Sequence, residues 1–307
     1  MPGQDKYKVN EQASLGLNLR SAPDPTVDNV IAVLPFGQEV TKLEESNVAN
    51  WWKVRTTLSG ATAEGFVNKS FLTKVADATE ETHTGVSPVH LPTGNNTVTR
   101  QNKLLAFPLT EVPPVKRHEA DPPQTKVAAI AQLIDWFKVG SSPRYLPLGG
   151  MTFCNIYAYD YCYMTEAYLP RVWWMQQAII KLKQGQTVAV KYGVTVSEIN
   201  ANGLNEWFKD WGSHFGWRRT LDLTELQEAA NQGKVCITVA RAKPQFHHGH
   251  GHIVAVVPET ETFKALRQNG KVIQTVQSQA GGHNFAYIVR SWWNDGTYAD
   301  FGHWIHE

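Results

Sequence analysis

Cys154 lies in the run Gly149-Gly-Met-Thr-Phe-Cys-Asn-Ile-Tyr-Ala-Tyr-Asp160, and His252 heads Gly251-His-Ile-Val-Ala-Val-Val257. A thiol attacks as its thiolate, and an ordinary thiol with a pKa near ~8.5 is mostly protonated at neutral pH. A helix N-terminus favours the anion through its dipole and its unpaired N–H groups. An imidazole within reach can take the proton. The residues after Cys154 have helical spacing, and those after His252 read as a buried strand. The pair therefore predicts a cysteine nucleophile for acyl transfer. The two glycines before Met151 let backbone come close to a bound ligand.

Such a base needs a third group to orient its other ring nitrogen. The strand-like segment 271–281 places Gln277 and Gln279 on one face by alternation, and Asn284 follows shortly after. Gln279 is the first choice, then Asn284, then Gln277, although each also reads as a surface amide. The Cys154 N–H is a candidate oxyanion donor. Tyr145 and Asn155 are further candidates for oxyanion or substrate contact. Trp173, Trp174 and Trp207 are candidates for stacking on sugar rings or peptide bonds, with core packing as the competing reading. His247, His248, His250 and His252 crowd one loop, and imidazole ligates transition metals. No carboxylate stands among them, so the expectation is no catalytic metal and no cofactor. Cys162 and Cys236 read as small buried hydrophobes.

The elements that must carry these groups fall into two patterns. Residues 6–76 show short strands punctuated by Gly and Pro, which predicts a small all-β barrel. Residues 77–123 are polar and Pro-rich and predict a semi-rigid linker. From 124 the chain turns helical, with Val127, Ile130, Leu133, Ile134 and Phe137 on one face. Helices follow from Cys154, around 206–211, and around 224–230 with a cap at Asp222 or Thr224. Strands follow at 235–240, 252–257, 271–278 and 286–290. Helices first and antiparallel strands afterwards predict an α+β domain over 124–307.

With 307 residues and a formal net charge of +1, the chain offers no electrostatic case for nucleic acid. No apolar run reaches the ~18 residues a membrane span needs. The start Met1-Pro-Gly-Gln-Asp-Lys-Tyr-Lys lacks the apolar core of a secretory signal, so the expectation is either no export by that route or a trimmed start. Three cysteines, none in a Cys-x-x-Cys pair, support neither a disulfide framework nor a structural zinc site.

Two resemblances follow from quoted motifs. Leu-Asn-Leu-Arg-Ser-Ala-Pro (17–23), Leu-Pro-Phe-Gly-Gln-Glu-Val (34–40), Trp-Trp-Lys-Val-Arg (51–55) and Glu-Gly-Phe-Val (64–67) resemble a bacterial SH3-like domain, with Phe66 in place of the usual Trp. That resemblance implies binding of cell-wall material by residues 1–76. Gly-Met-Thr-Phe-Cys-Asn-Ile-Tyr-Ala-Tyr-Asp (150–160), followed by the Gly-His run, resembles papain-like cell-wall amidases and peptidases of the NlpC and CHAP groups. It implies helices packed on an antiparallel sheet, Cys154 as nucleophile, His252 as general base and Gln279 as third residue. NlpC enzymes often use His at the third position and CHAP enzymes Glu or Asn, so Gln279 departs from both. A helical insertion at about 165–234 is a second departure. The implied activity is an endolysin-like peptidoglycan hydrolase, monomeric and acting at the cell wall or outside the cell. The alternatives are a wall-binding adaptor with a degenerate hydrolase domain and an interbacterial effector using the same chemistry.

Overall fold

Alternating apolar residues between Gly and Pro breaks build the first unit, and longer helical and strand periods build the second. The computed structural model describes residues 5–10, 12–13, 16–58, 61–74, 85–246 and 249–307. The chain divides into Met1–Thr82 and His83–Glu307.

The first unit contains β1 (Lys6–Val9), β2 (Leu17–Arg20), β3 (Val30–Leu34), β4 (Glu39–Glu45), β5 (Trp51–Leu58), β6 (Ala61–Asn68) and β7 (Leu72–Lys74). They form one antiparallel sheet in the order β3-β2-β6-β5-β4-β1-β7. Period-two alternation sends Leu17 and Leu19 inward to meet Val9, Leu34, Val40, Val54 and Val67. Gly65 stands where β6 crosses β2, and a Cβ there would lie 2.6 Å from the Arg20 carbonyl oxygen. Trp51 is buried, whereas half-buried Trp52 packs its ring on Tyr7 and under the Lys42 ammonium. Neighbouring indoles thus leave the strand on opposite faces.

The second unit runs α1 (Pro123–Phe137), α2 (Cys154–Met164), β8 (Val172–Trp174), α3 (Gln176–Lys183), β9 (Val196–Glu198), α4 (Ala201–Trp211), β10 (Trp217–Thr220) and α5 (Leu223–Asn231). It continues with β11 (Cys236–Ala242), β12 (His252–Val256), β13 (Leu266–Gln268), β14 (Lys271–Gln279), β15 (Phe285–Arg290) and β16 (Tyr298–His306). The sheet order is β10-β16-β11-β12-β14-β13, with β15 also paired to β14 and all pairings antiparallel. Ile253, Ala255 and Val257 point into the large core shared with α2 and α4. Val256 meets Leu226 and Ala230 of α5 on the other face, and Val254 meets Trp292 and Trp293. Helices therefore pack on an antiparallel sheet, with α2 laid against β12.

Several elements differ from their sequence pattern. The segment after residue 84, expected as part of a linker, packs into the second unit through Val86, Val89, Leu91, Val98 and Leu109. Arg117 is buried there and donates to the carbonyl oxygens of Gly233 and Thr165. Prolines and polar residues gave this stretch a linker composition, but its scattered apolar side chains, which follow no regular period, supply the burial. The insertion also belongs to this core: Trp174 and Trp207 are buried, and β16 inserts between β10 and β11. Helix α3 buries Ala178, Ile179 and Leu182 at helical spacing, and it and strands β10 and β16 add to the elements expected from the sequence. Asp222 caps α5 by accepting the Thr224 N–H.

Candidate active site

Cys154 is the first residue of α2, following Phe153 at the N-cap. The backbone N–H groups of Ile253, Asn155 and Cys154 itself lie close enough to favour its thiolate. Burial pushes the thiol above its ordinary range, and those N–H groups pull the other way. The start of α2 therefore lies against the start of β12, the strand that His252 heads.

The imidazole is oriented by Gln279. His252 Nε2 lies 3.1 Å from Gln279 Oε1, and Gln279 Nε2 donates to the His283 carbonyl oxygen at 3.1 Å. A carbonyl oxygen accepts only, so the amide must present its nitrogen to His283 and its oxygen to His252. The imidazole must then carry its proton on Nε2 to complete the bond. In the neutral ring that leaves the lone pair on Nδ1 as the basic position. Gln279 is 4% exposed, so water does not compete for this bond. Gly281 brings the following turn against the ring: a Cβ there would be 3.3 Å from His252 Cε1.

The other two amides hold the surroundings. Gln277 Nε2 donates to Thr275 Oγ1 and the Arg290 carbonyl oxygen, and its Oε1 accepts the Trp292 indole N–H. The Trp292 ring meets His252 edge-on at 4.7 Å between centroids. Asn284 donates to the carbonyl oxygens of Val139 and Tyr145 and accepts the Gly281 N–H. Neither side chain orients the imidazole directly. Trp292 had no signal in the sequence, because only the strand pairing brings residue 292 beside residue 252.

Tyr145 was expected to offer its phenol near the thiol. Its hydroxyl instead donates to Asp160 Oδ2 in the interior, where Arg144 also binds that carboxylate through Nε and Nη2. Asn155 Nδ2 donates to the Ile199 carbonyl oxygen at 2.9 Å, tying the start of α2 to the insertion. The indoles proposed for stacking pack among themselves. Trp173 meets Trp207, Trp211 and Phe215, and the Trp174 indole donates to the Ser87 carbonyl oxygen. Trp173 and Trp207 thus find aromatic partners inside the insertion, whereas Trp174 joins it to the segment around Ser87.

Among the described residues no three or more His, Cys, Asp or Glu are grouped to hold a metal ion. His247 and His248 of the crowded loop lie outside the described residues. No helix among the described residues is long and apolar enough to cross a membrane. In the first unit, Trp51, Phe71, Asn18, Asn68 and Arg20 help line a cavity of about 270 Å³.

Residues 15–73 match the family model of the bacterial SH3 domain. A search of curated proteins finds no match. Among solved structures, NlpC2 from Trichomonas vaginalis aligns at 11% identity over 99% of this chain and 72% of that one, with a TM-score of 0.26. NlpC1 from Trichomonas vaginalis aligns at 11% identity over 98% of this chain and 68% of that one, with a TM-score of 0.27.

Proposed function

We propose that this chain is a peptidoglycan hydrolase that cleaves an amide bond in or next to the stem peptide, acting at the cell wall. The observation that carries the proposal is the bond from His252 Nε2–H to an amide oxygen of fixed orientation, on the strand whose start lies against the helix that Cys154 opens. In this reading Nδ1 of His252 takes the Cys154 proton, and the sulfur attacks the carbonyl carbon. The oxyanion forms against the Cys154 N–H. The imidazolium then protonates the leaving amine, and an acyl-enzyme remains. Water, deprotonated by the same imidazole, attacks the acyl carbon and releases the acid. The segment 15–73 supplies attachment to the wall, as its family match supports.

Burial of the thiol favours one other reading, a wall-binding adaptor without turnover. Purified sacculi separate the two. Wild-type protein should release muropeptides identifiable by mass spectrometry, and Cys154→Ala should release none while remaining folded and bound to the wall. Wild-type protein that binds sacculi and releases nothing would establish the adaptor. The same spectra name the bond cleaved. A phage lysin and an interbacterial effector would give the same chemistry on different walls.

A further inference from the structure

Within four residues the insertion bonds to segments that flank both members of the candidate dyad. Ile199 accepts from the side chain of Asn155, the neighbour of Cys154, at 2.9 Å. Asn202 Nδ2 donates to the Gly249 carbonyl oxygen at 2.6 Å, and its Oδ1 accepts the Ala242 N–H at 3.2 Å. Gly249 belongs to the loop that delivers His252, and Ala242 ends the strand paired to β12. Between these points the chain is stiff: Asn200 caps α4 by accepting the Gly203 N–H. Gly251 also depends on this contact. A Cβ there would lie 2.4 Å from Asn202 Oδ1 and 2.3 Å from the Ala240 carbonyl oxygen.

From these contacts we infer that residues 199–202 form a clasp that sets the spacing of Cys154 and His252, with Asn202 as a positioning residue. The inference rests on the Cys–His reading above. Its physical basis is that the Asn202 amide satisfies one acceptor and one donor of opposite polarity. No other side chain of that size does both. Aspartate keeps the acceptor arm but sets a carboxylate against the Gly249 carbonyl oxygen. Alanine loses both arms. Either change frees the His252 loop from the start of α4, and so from the segment that Asn155 ties to α2.

The test is the rate of Cys154 alkylation by iodoacetamide from pH 5 to 9, followed by mass spectrometry. Wild type, Asn202→Asp, Asn202→Ala, Gly251→Ala and His252→Ala are compared, each with a thermal melt. The three clasp variants should alkylate about tenfold more slowly at pH 7 than wild type. Their half-maximal pH should rise by about one unit, the shift equivalent to that factor. A wild-type pH profile in folded Asn202→Asp would overturn the clasp and leave the dyad standing. Coincident profiles for wild type and His252→Ala would overturn the dyad itself, and the clasp with it. Should the Asn202 and Gly251 variants fail to fold, amide exchange in the wild type decides the matter. The Ala242 N–H should be protected, and rapid exchange there would overturn the clasp.

Discussion

Replacing Gln279 by Leu should raise the pH at which Cys154 becomes reactive. The Gln279 oxygen, itself buried, accepts the His252 Nε2–H at 3.1 Å. A bond between neutral groups contributes about 1 kcal/mol net, and one to a charged group about 1.5–3 kcal/mol. The amide therefore favours the imidazolium over the imidazole by roughly 0.5–2 kcal/mol. At about 1.4 kcal/mol per pK unit, its loss shifts the thiolate–imidazolium equilibrium by about one unit. The sign follows from the site. Burial pushes the thiol up; in the proposed dyad an imidazolium offsets that, so a weaker imidazolium leaves the thiol titrating higher. Alkylation at pH 7 should fall about tenfold. Gln279→Glu should do the opposite to the histidine: a carboxylate holds the proton on the ring to higher pH, and the reactive plateau extends upward. Nitrogen-15 NMR of labelled histidine should show the Nε2–H tautomer in wild type and its depletion in Gln279→Leu. A Gln279→Leu variant with the wild-type pH–rate curve would refute the reasoning.

Arg144→Met should destabilise the fold by about 3–5 kcal/mol, because it leaves the fully buried Asp160 carboxylate without its guanidinium. Burial already raises that carboxyl, and the variant raises it further above its unfolded value near ~3.9. The folded state then binds the extra proton, so melts should show the variant recovering stability as pH falls toward ~4 and losing it as pH rises. Trp292→Phe should cost about 1–3 kcal/mol in a urea titration, since it strands the buried Gln277 oxygen that accepts the indole N–H. Combining it with Gln277→Leu should cost less than the sum of the two single changes.

Local chemistry identified the groups and left their neighbours open. Alternation put Gln277 and Gln279 on one face, and both do point that way. It could not say which meets the imidazole, because that depends on the register of β14 against β12, where Val256 faces Gln277 and Ala255 faces Ser278. Tyr145 looked available for catalysis because nine residues separate it from Cys154 in the chain. Asp160, one and a half turns into α2, captures its hydroxyl instead. The aromatic run of the insertion read equally as ligand platform or core, since a Trp has the same composition signal in both roles.

By itself the sequence determined a thiol at a helix start, an imidazole at a strand start, and a strand-rich module ahead of them. Each of these is a local matter of period, caps and turn residues, which short-range physics settles. Only the tertiary structure decided that residues 85–122 belong to the second unit, that Trp292 packs on His252, and that Asn202 reaches the His252 loop. These contacts join residues far apart in the chain. They depend on strand order and register, which emerge only when the whole sheet and its helices pack together.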